Sequence, residues 1–280
     1  MQHSNPRSML FVSGESVERF DKAMASDADL VCIDLEDAVH SSRKQEARTQ
    51  VLDWLGARPV TERDKRVALR INSLQGAEGL RDAIALIDSR VRVNWLLLPK
   101  VEDGMEIQRI DSLAGSRIDR IAALIETPLG IEKALSIARA GGRLRALMLG
   151  GADLSAALGA RFDWDGLLFA RGRLVNAARA VGLQVWDVPY LAVDNPEGLA
   201  DETRKAIALG FDCKAAIHPL QIPTIHAAHA PAPQDLDWAK SLLAAMPADH
   251  PSGAFLFQGR MVDAAVLRKA RRMMEPSHPR

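Results

Sequence analysis

The side chains best suited to chemistry follow short apolar runs. Ser13-Gly14, Asp34, Glu36 and Asp37, Arg70 and Asn72, Lys100, Glu126, Asp153, Asp187 and His218 each stand at or just past such a run. The set is acidic, with one arginine and one lysine among the carboxylates. Two carboxylates such as Glu126 and Asp153 can share one hard cation, since Mg2+ is typically held by one or two carboxylates, waters and substrate oxygens. The His and Cys clusters that favour zinc are missing from the sequence. Taken singly, each residue has a plainer reading. Glu126, in AALIETPLG, reads first as an anion welcomed by the positive end of a helix. Asp153 can cap a helix begun by Leu154-Ser155, Arg70 can pair with any nearby carboxylate, and the acids of IDLEDAV can be solvated turn residues. His218 reads as a hydrogen-bonded core histidine, and His226 with His229 as surface residues. The concentration at one end of so many runs is harder to dismiss. It points to metal-assisted chemistry on an anionic small molecule.

These residues need elements to position them. Eight β-rich runs recur: RSMLFVSG (7–14), DLVCIDLED (29–37), RVALRIN (66–72), NWLLLPK (94–100), RIAALIET (120–127), RALMLGGADL (145–154), LQVWDVPY (183–190) and CKAAIHP (213–219). Most are continuously apolar, as expected of parallel strands covered on both faces. Between them lie segments with helical spacing. Ile131, Ala134, Leu135 and Ala138 fall on one helix face, with Thr127 able to cap it and Pro128 suited to its first turn. The alternation predicts an α/β fold, a (β/α)8 TIM barrel over 1–220, with a C-terminal helical extension over 221–280. An open doubly wound sheet is the competing arrangement, but no G-x-G-x-x-G follows the first run. In a barrel of this kind the chemistry sits at the C-terminal strand ends.

The 280 residues carry 36 Lys+Arg and 36 Asp+Glu, so charge gives no reason to expect nucleic acid or an anionic membrane as partner. No apolar run reaches the ~20 residues that span a bilayer. Cys32 and Cys213 form no C-x-x-C. The start, MQHSNPRSML, lacks the pattern of a secretion signal, and a reducing cytoplasm is the expected location.

Taken in order, RSMLFVSG, CIDLEDAV, LRIN, LLLPKVE, ALIETPLG, LGGADLS, GFDCKAAIHPLQI and FQGRMVD resemble the citrate lyase β-subunit-like branch of the HpcH/HpaI aldolase superfamily. That resemblance implies a barrel, Mg2+ dependence, a homotrimer, and cleavage of a 3-hydroxyacyl-CoA thioester of citramalyl or malyl type to acetyl-CoA and a 2-keto acid. It matches Glu126 and Asp153 to the metal ligands and Arg70 to the arginine holding the substrate carboxylate. Glu36 and Asp37 match acids around metal-bound waters. Asp263 matches an aspartate delivered from one subunit's tail into its neighbour's site, where it would exchange a proton with the thioester α-carbon. Ser13 and Cys213 depart from the family's usual proline and glycine, the first beside the expected thioester entrance. No glycine-rich phosphate loop marks a CoA site; arginines such as Arg7 are the candidates. The alternatives are the β subunit of a citrate lyase complex working on an acyl-carrier-protein thioester, a CoA-independent pyruvate-type aldolase, and a scaffold without activity.

Overall fold

The computed structural model describes residues 5–58, 67–89, 91–246 and 254–274. The chain divides into two compact units, one of Asn5–Ala227 and one taking in the chain from Ala228 on.

The first unit is a closed barrel of eight parallel strands in sequence order: β1 (Ser8–Ser13), β2 (Leu30–Asp34), β3 (Val67–Arg70), β4 (Val93–Leu98), β5 (Ile118–Ile125), β6 (Leu144–Leu149), β7 (Gln184–Asp187) and β8 (Cys213–Ala216). β1 pairs with both β2 and β8, Met9 lying opposite Leu30 on one side and Ala215 on the other, which rules out the open sheet. The continuous apolar character of the runs divides, residue by residue, between two cores. Met9, Cys32, Ala68, Leu97, Leu124 and Met148 point inward, while their chain neighbours pack against the surrounding helices. Inside, Trp95 and Trp186 meet edge to face with ring centres 4.6 Å apart. The small residues Ala68, Ala122, Ala146 and Ala215 leave room for them.

Helices follow the strands as the spacing predicts. After β5, Thr127 accepts a hydrogen bond from the Gly130 N–H and Pro128 opens the helix Pro128–Glu132. A second short helix, Ala134–Ala138, continues it after an irregular step at Lys133. Among the described residues no helix is long and apolar enough to cross a membrane.

In the second unit, the helices Pro233–Ala244 and Ala264–Met274 enclose a small core of Ala239, Leu242, Val262, Leu267 and Ala270. Between them runs an antiparallel hairpin, Phe255–Phe257 with Arg260–Val262. Its two-residue turn, Gln258-Gly259, has positive φ at both positions, 50° and 74°, matching the right-handed twist of the strands.

Candidate active site at the barrel mouth

Three strands end by turning their inward face from apolar to charged. The alternation that buries Cys32, Ala68 and Leu124 inside the barrel brings Asp34, Arg70 and Glu126 next on the same face. Arg70 donates from Nε to Asp34 Oδ1 at 2.7 Å and from Nη2 to Oδ2 at 2.6 Å, a two-point fork. Its Nη1 faces Glu36 Oε2 at 3.1 Å and Asp37 Oδ2 at 3.4 Å. Asp34 also accepts the backbone N–H groups of Glu36 and Ala38, so one carboxylate both aims the arginine and shapes the acidic turn. Burial works against the charge on Arg70, but Asp34, Glu36 and Asp37 outweigh it and hold the guanidinium protonated.

Lys100 ties the other side of the mouth together. It is a non-glycine residue with a φ of 54°, and this left-handed turn directs its N–H to Glu126 Oε1 at 2.8 Å. Its Nζ lies 2.6 Å from Glu36 Oε1 and 2.9 Å from Asp153 Oδ2. Asp153 sits in the first turn of the helix Gly151–Leu158, whose N-cap is Gly150. Glu126, Asp153, Glu36, Asp37 and Arg70 are thus brought together, and Lys100 and Asp34 join them. The sequence showed both of these at strand ends but gave them no role. The apolar run stopping at a lysine in LLLPK was the available signal for Lys100.

The electrostatics are uneven. Burial, and then the neighbouring Glu36, push the Glu126 carboxyl up to about 7. Burial likewise raises Glu36, against the pull of Arg70 and Lys100. Glu36 Oε2 is a buried oxygen with no hydrogen bond of good geometry. The mouth therefore holds more carboxylate than its two cations neutralise. Among the described residues, no three His, Cys, Asp or Glu side chains stand close enough to cage a metal by themselves. An all-oxygen, undercompensated donor set suits a hard divalent cation that keeps several water or substrate ligands.

Residues 7–219 match the family model described as HpcH/HpaI aldolase/citrate lyase. The chain belongs to this family. It is 32% identical to the mitochondrial citramalyl-CoA lyase of Rattus norvegicus, over 96% of this chain and 85% of that one. It is 34% identical to citrate lyase subunit beta of Haemophilus influenzae, over 96% of both chains. Among solved structures it is similar to protein CitE of Mycobacterium tuberculosis in complex with magnesium, acetoacetate and coenzyme A. That likeness has a TM-score of 0.83 at 35% identity and covers 97% of each chain.

Several polar residues of this HpcH/HpaI family chain lie away from the mouth. Asp187 is the last residue of β7, in which Trp186 points inward, so its own carboxylate faces outward. There it accepts from Arg171 Nε at 2.9 Å and Lys214 Nζ at 2.7 Å, a fully buried trio that the half-buried Glu202 joins through Lys214. Its place among the strand-end acids of the mouth is therefore corrected: the pleat sends it into the helix layer. His218 is exposed rather than a core residue; it caps the 3-10 turn Pro219–Gln221 by accepting from the Leu220 N–H. His226 is half-buried, with Nε2 2.8 Å from Ser8 Oγ. Arg7 pairs with Asp29 at the opposite, N-terminal end of the strands, where it cannot meet phosphates entering the mouth. Asp263 belongs to the second unit, where it accepts from the N–H groups of Ala265 and Val266 at the start of the helix Ala264–Met274.

Proposed function

We propose that this chain is a Mg2+-dependent carbon–carbon lyase that cleaves a 3-hydroxyacyl-CoA thioester, of citramalyl or malyl type, to acetyl-CoA and a 2-keto acid. The observation that carries this reading is that Lys100 and Arg70 bring Glu126, Asp153 and Glu36 into one connected set at the mouth. The relatives named for citramalyl-CoA and citrate cleavage, and the neighbour holding magnesium and coenzyme A, give it its substrate class.

Glu126 and Asp153 would hold the cation. When bound, it lowers the pKa of the substrate hydroxyl and polarises the oxygen that becomes the keto group. Arg70, fixed at Nε and Nη2 by Asp34, would share Nη1, which faces Glu36 and Asp37, with the substrate carboxylate. In the cleavage direction the bond between the α- and β-carbons breaks and the hydroxyl proton passes to the acidic side of the mouth. Glu36, its carboxyl raised by burial, is suited to take it there, with Asp37 beside it. The electron pair stays with the thioester as an enolate, which takes a proton at its α-carbon. Asp263 of a neighbouring subunit in a homotrimer is the residue proposed for that exchange, with the C-terminal extension carrying it. The buried, free Cys32 and Cys213 suit a reducing compartment such as the cytoplasm.

The test is keto-acid release from citramalyl-, malyl-, methylmalyl- and citryl-CoA, with Mg2+ and with chelator. Release from at least one, abolished by chelator, is expected; silence across the panel sinks the reading. The similarity to citrate lyase subunit beta keeps a second reading, a complex subunit working on an acyl-carrier-protein thioester. Turnover of free CoA thioesters by the purified chain alone decides between them.

A further inference from the structure

The undercompensated charge at the mouth converges on one side chain. Five carboxylates line it, from Asp34, Glu36, Asp37, Glu126 and Asp153, against Arg70 and Lys100. Asp34 occupies the fork of Arg70. The arginine's Nη1 is shared between Glu36 and Asp37, and Lys100 Nζ faces the same two, Glu36 Oε1 at 2.6 Å and Asp37 Oδ1 at 4.0 Å, and also reaches Asp153 Oδ2 at 2.9 Å, which Arg70 does not.

We infer that Lys100 is a resident counter-cation, whose ammonium fills the place among these acids that a divalent cation must take, and which turns away from Asp153 when the metal binds. This rests on the metal-dependent reading given above. Three features support it. The left-handed backbone at Lys100 is pinned by its N–H on Glu126, so the side chain alone is left to move. Asp153 is the more exposed of its two close carboxylates, at 41% against 6% for Glu36, so that contact is the easier to exchange. A flexible four-carbon stem with one rotatable ammonium leaves an ion pair more readily than a guanidinium fork does. Two cations cannot crowd onto the Asp153 carboxylate without strong mutual repulsion in a partly buried site. Lys100 is thus a positioning residue: it holds Glu36 and Asp153 in place before the metal arrives, and it weakens the metal's hold by competing for Asp153.

Titration calorimetry of Mg2+ and Mn2+ without substrate tests this on the wild type, Lys100→Met and Lys100→Arg. Lys100→Met should tighten Mg2+ binding roughly tenfold or more, the loss of about one charge-assisted contact from the competing state. Lys100→Arg, which keeps the charge and leaves an ion pair less readily, should bind Mg2+ no more tightly than wild type, and a gain like that of Lys100→Met would overturn the inference. Unchanged or weaker binding in Lys100→Met overturns the inference. A measurement on the wild type decides the matter even if that variant does not fold. Acylation of lysines by an amine-reactive reagent, read by mass spectrometry, should rise several-fold at Lys100 on adding Mg2+ and stay level at the exposed Lys205 and Lys240. A level or falling signal at Lys100 overturns the inference. Wild-type protein that binds no Mg2+ overturns the metal reading and this inference with it; binding without a gain in Lys100→Met, or without exposure of Lys100, overturns this one alone.

Discussion

Gly150 passes directly under the Glu126 carboxylate, so closely that a methyl group on residue 150 would overlap both the Oε2 atom and the Cβ of Glu126. The glycine after β6 is therefore what lets the glutamate after β5 lie down in the mouth. Gly150→Ala must push Glu126 aside. Overpacking of this kind typically costs about 1–3 kcal/mol. The variant should melt lower and bind Mg2+ at least several-fold more weakly, which thermal melts and calorimetry read together. Wild-type Mg2+ affinity in a folded Gly150→Ala protein would show that the carboxylate does not need its present pose.

With Glu126 as the proposed metal ligand, metal and proton compete for it. Its carboxyl is raised to about 7 by burial and by Glu36, so below that pH the metal-free protein carries it protonated. Mg2+ binding there must release the proton, and affinity should fall up to about tenfold per pH unit below 7. Calorimetry in buffers of different ionisation enthalpy counts the proton; a pH-independent affinity contradicts the assignment.

The same shift sets a stability trend in chelator. A carboxyl whose folded value lies above its unfolded one favours the fold at low pH, and that contribution is lost as pH rises through about 7. Glu126→Gln keeps an oxygen for the Lys100 N–H and never ionises. It should gain stability over wild type on the order of 3 kcal/mol at alkaline pH and little at pH 5, read by urea melts, the shift from 4.5 to about 7 giving the scale.

The barrel was legible because its strands are continuous apolar runs separated by helical spacing; the assignment of polar residues to the mouth was less so. Where a run such as DLVCIDLED ends is set by the ladder, which stops at Asp34 and leaves Glu36 and Asp37 to a turn. Asp187 and Glu126 look alike in sequence, each a carboxylate closing an apolar run. With both faces of a strand apolar, nothing in the run tells inward from outward. Only the partners of Asp187, Arg171 and Lys214, separated from it by 16 and 27 residues, show that it serves the helix layer. Lys100 was visible as a strand-end lysine, but its reach to Glu36, Asp153 and Glu126 depends on a left-handed backbone at a non-glycine residue, which no pattern marks.

That outward network predicts a loss of stability without a loss of chemistry. Lys214→Met removes one of the two cations bonded to the fully buried Asp187, and breaking such a pair typically costs about 3–5 kcal/mol. Burial opposes ionisation of Asp187, but Lys214 and Arg171 overcome it and hold the carboxyl below its usual range. The network's contribution is thus present at neutral pH and lost as pH falls through that lowered value. Lys214→Met should melt well below wild type while its folded fraction keeps wild-type kcat. A fall in kcat at a temperature where the variant is fully folded would tie the network to the mouth.

Asp263 caps a helix, and one pair of variants separates that cap from the proton exchange proposed for it. Its carboxylate caps the helix Ala264–Met274, and the N–H groups of Val266 and Ala265 hold it below the usual range, so at neutral pH it is ionised. That state suits a base drawing a proton from the thioester α-carbon. To return the proton in cleavage, it must first take one, against the preference of its cap. Asn caps a helix about as well as Asp and cannot exchange a proton, whereas Ala does neither. Asp263→Asn should therefore keep wild-type stability and lose on the order of 100-fold or more in kcat, within the usual reach of a general acid–base group. Asp263→Ala should lose the same activity and also melt below Asp263→Asn, since it removes the cap as well. Steady-state kinetics with saturating Mg2+ beside thermal melts give both readings. Wild-type turnover in Asp263→Asn would leave the residue its cap alone and move the proton exchange to another group.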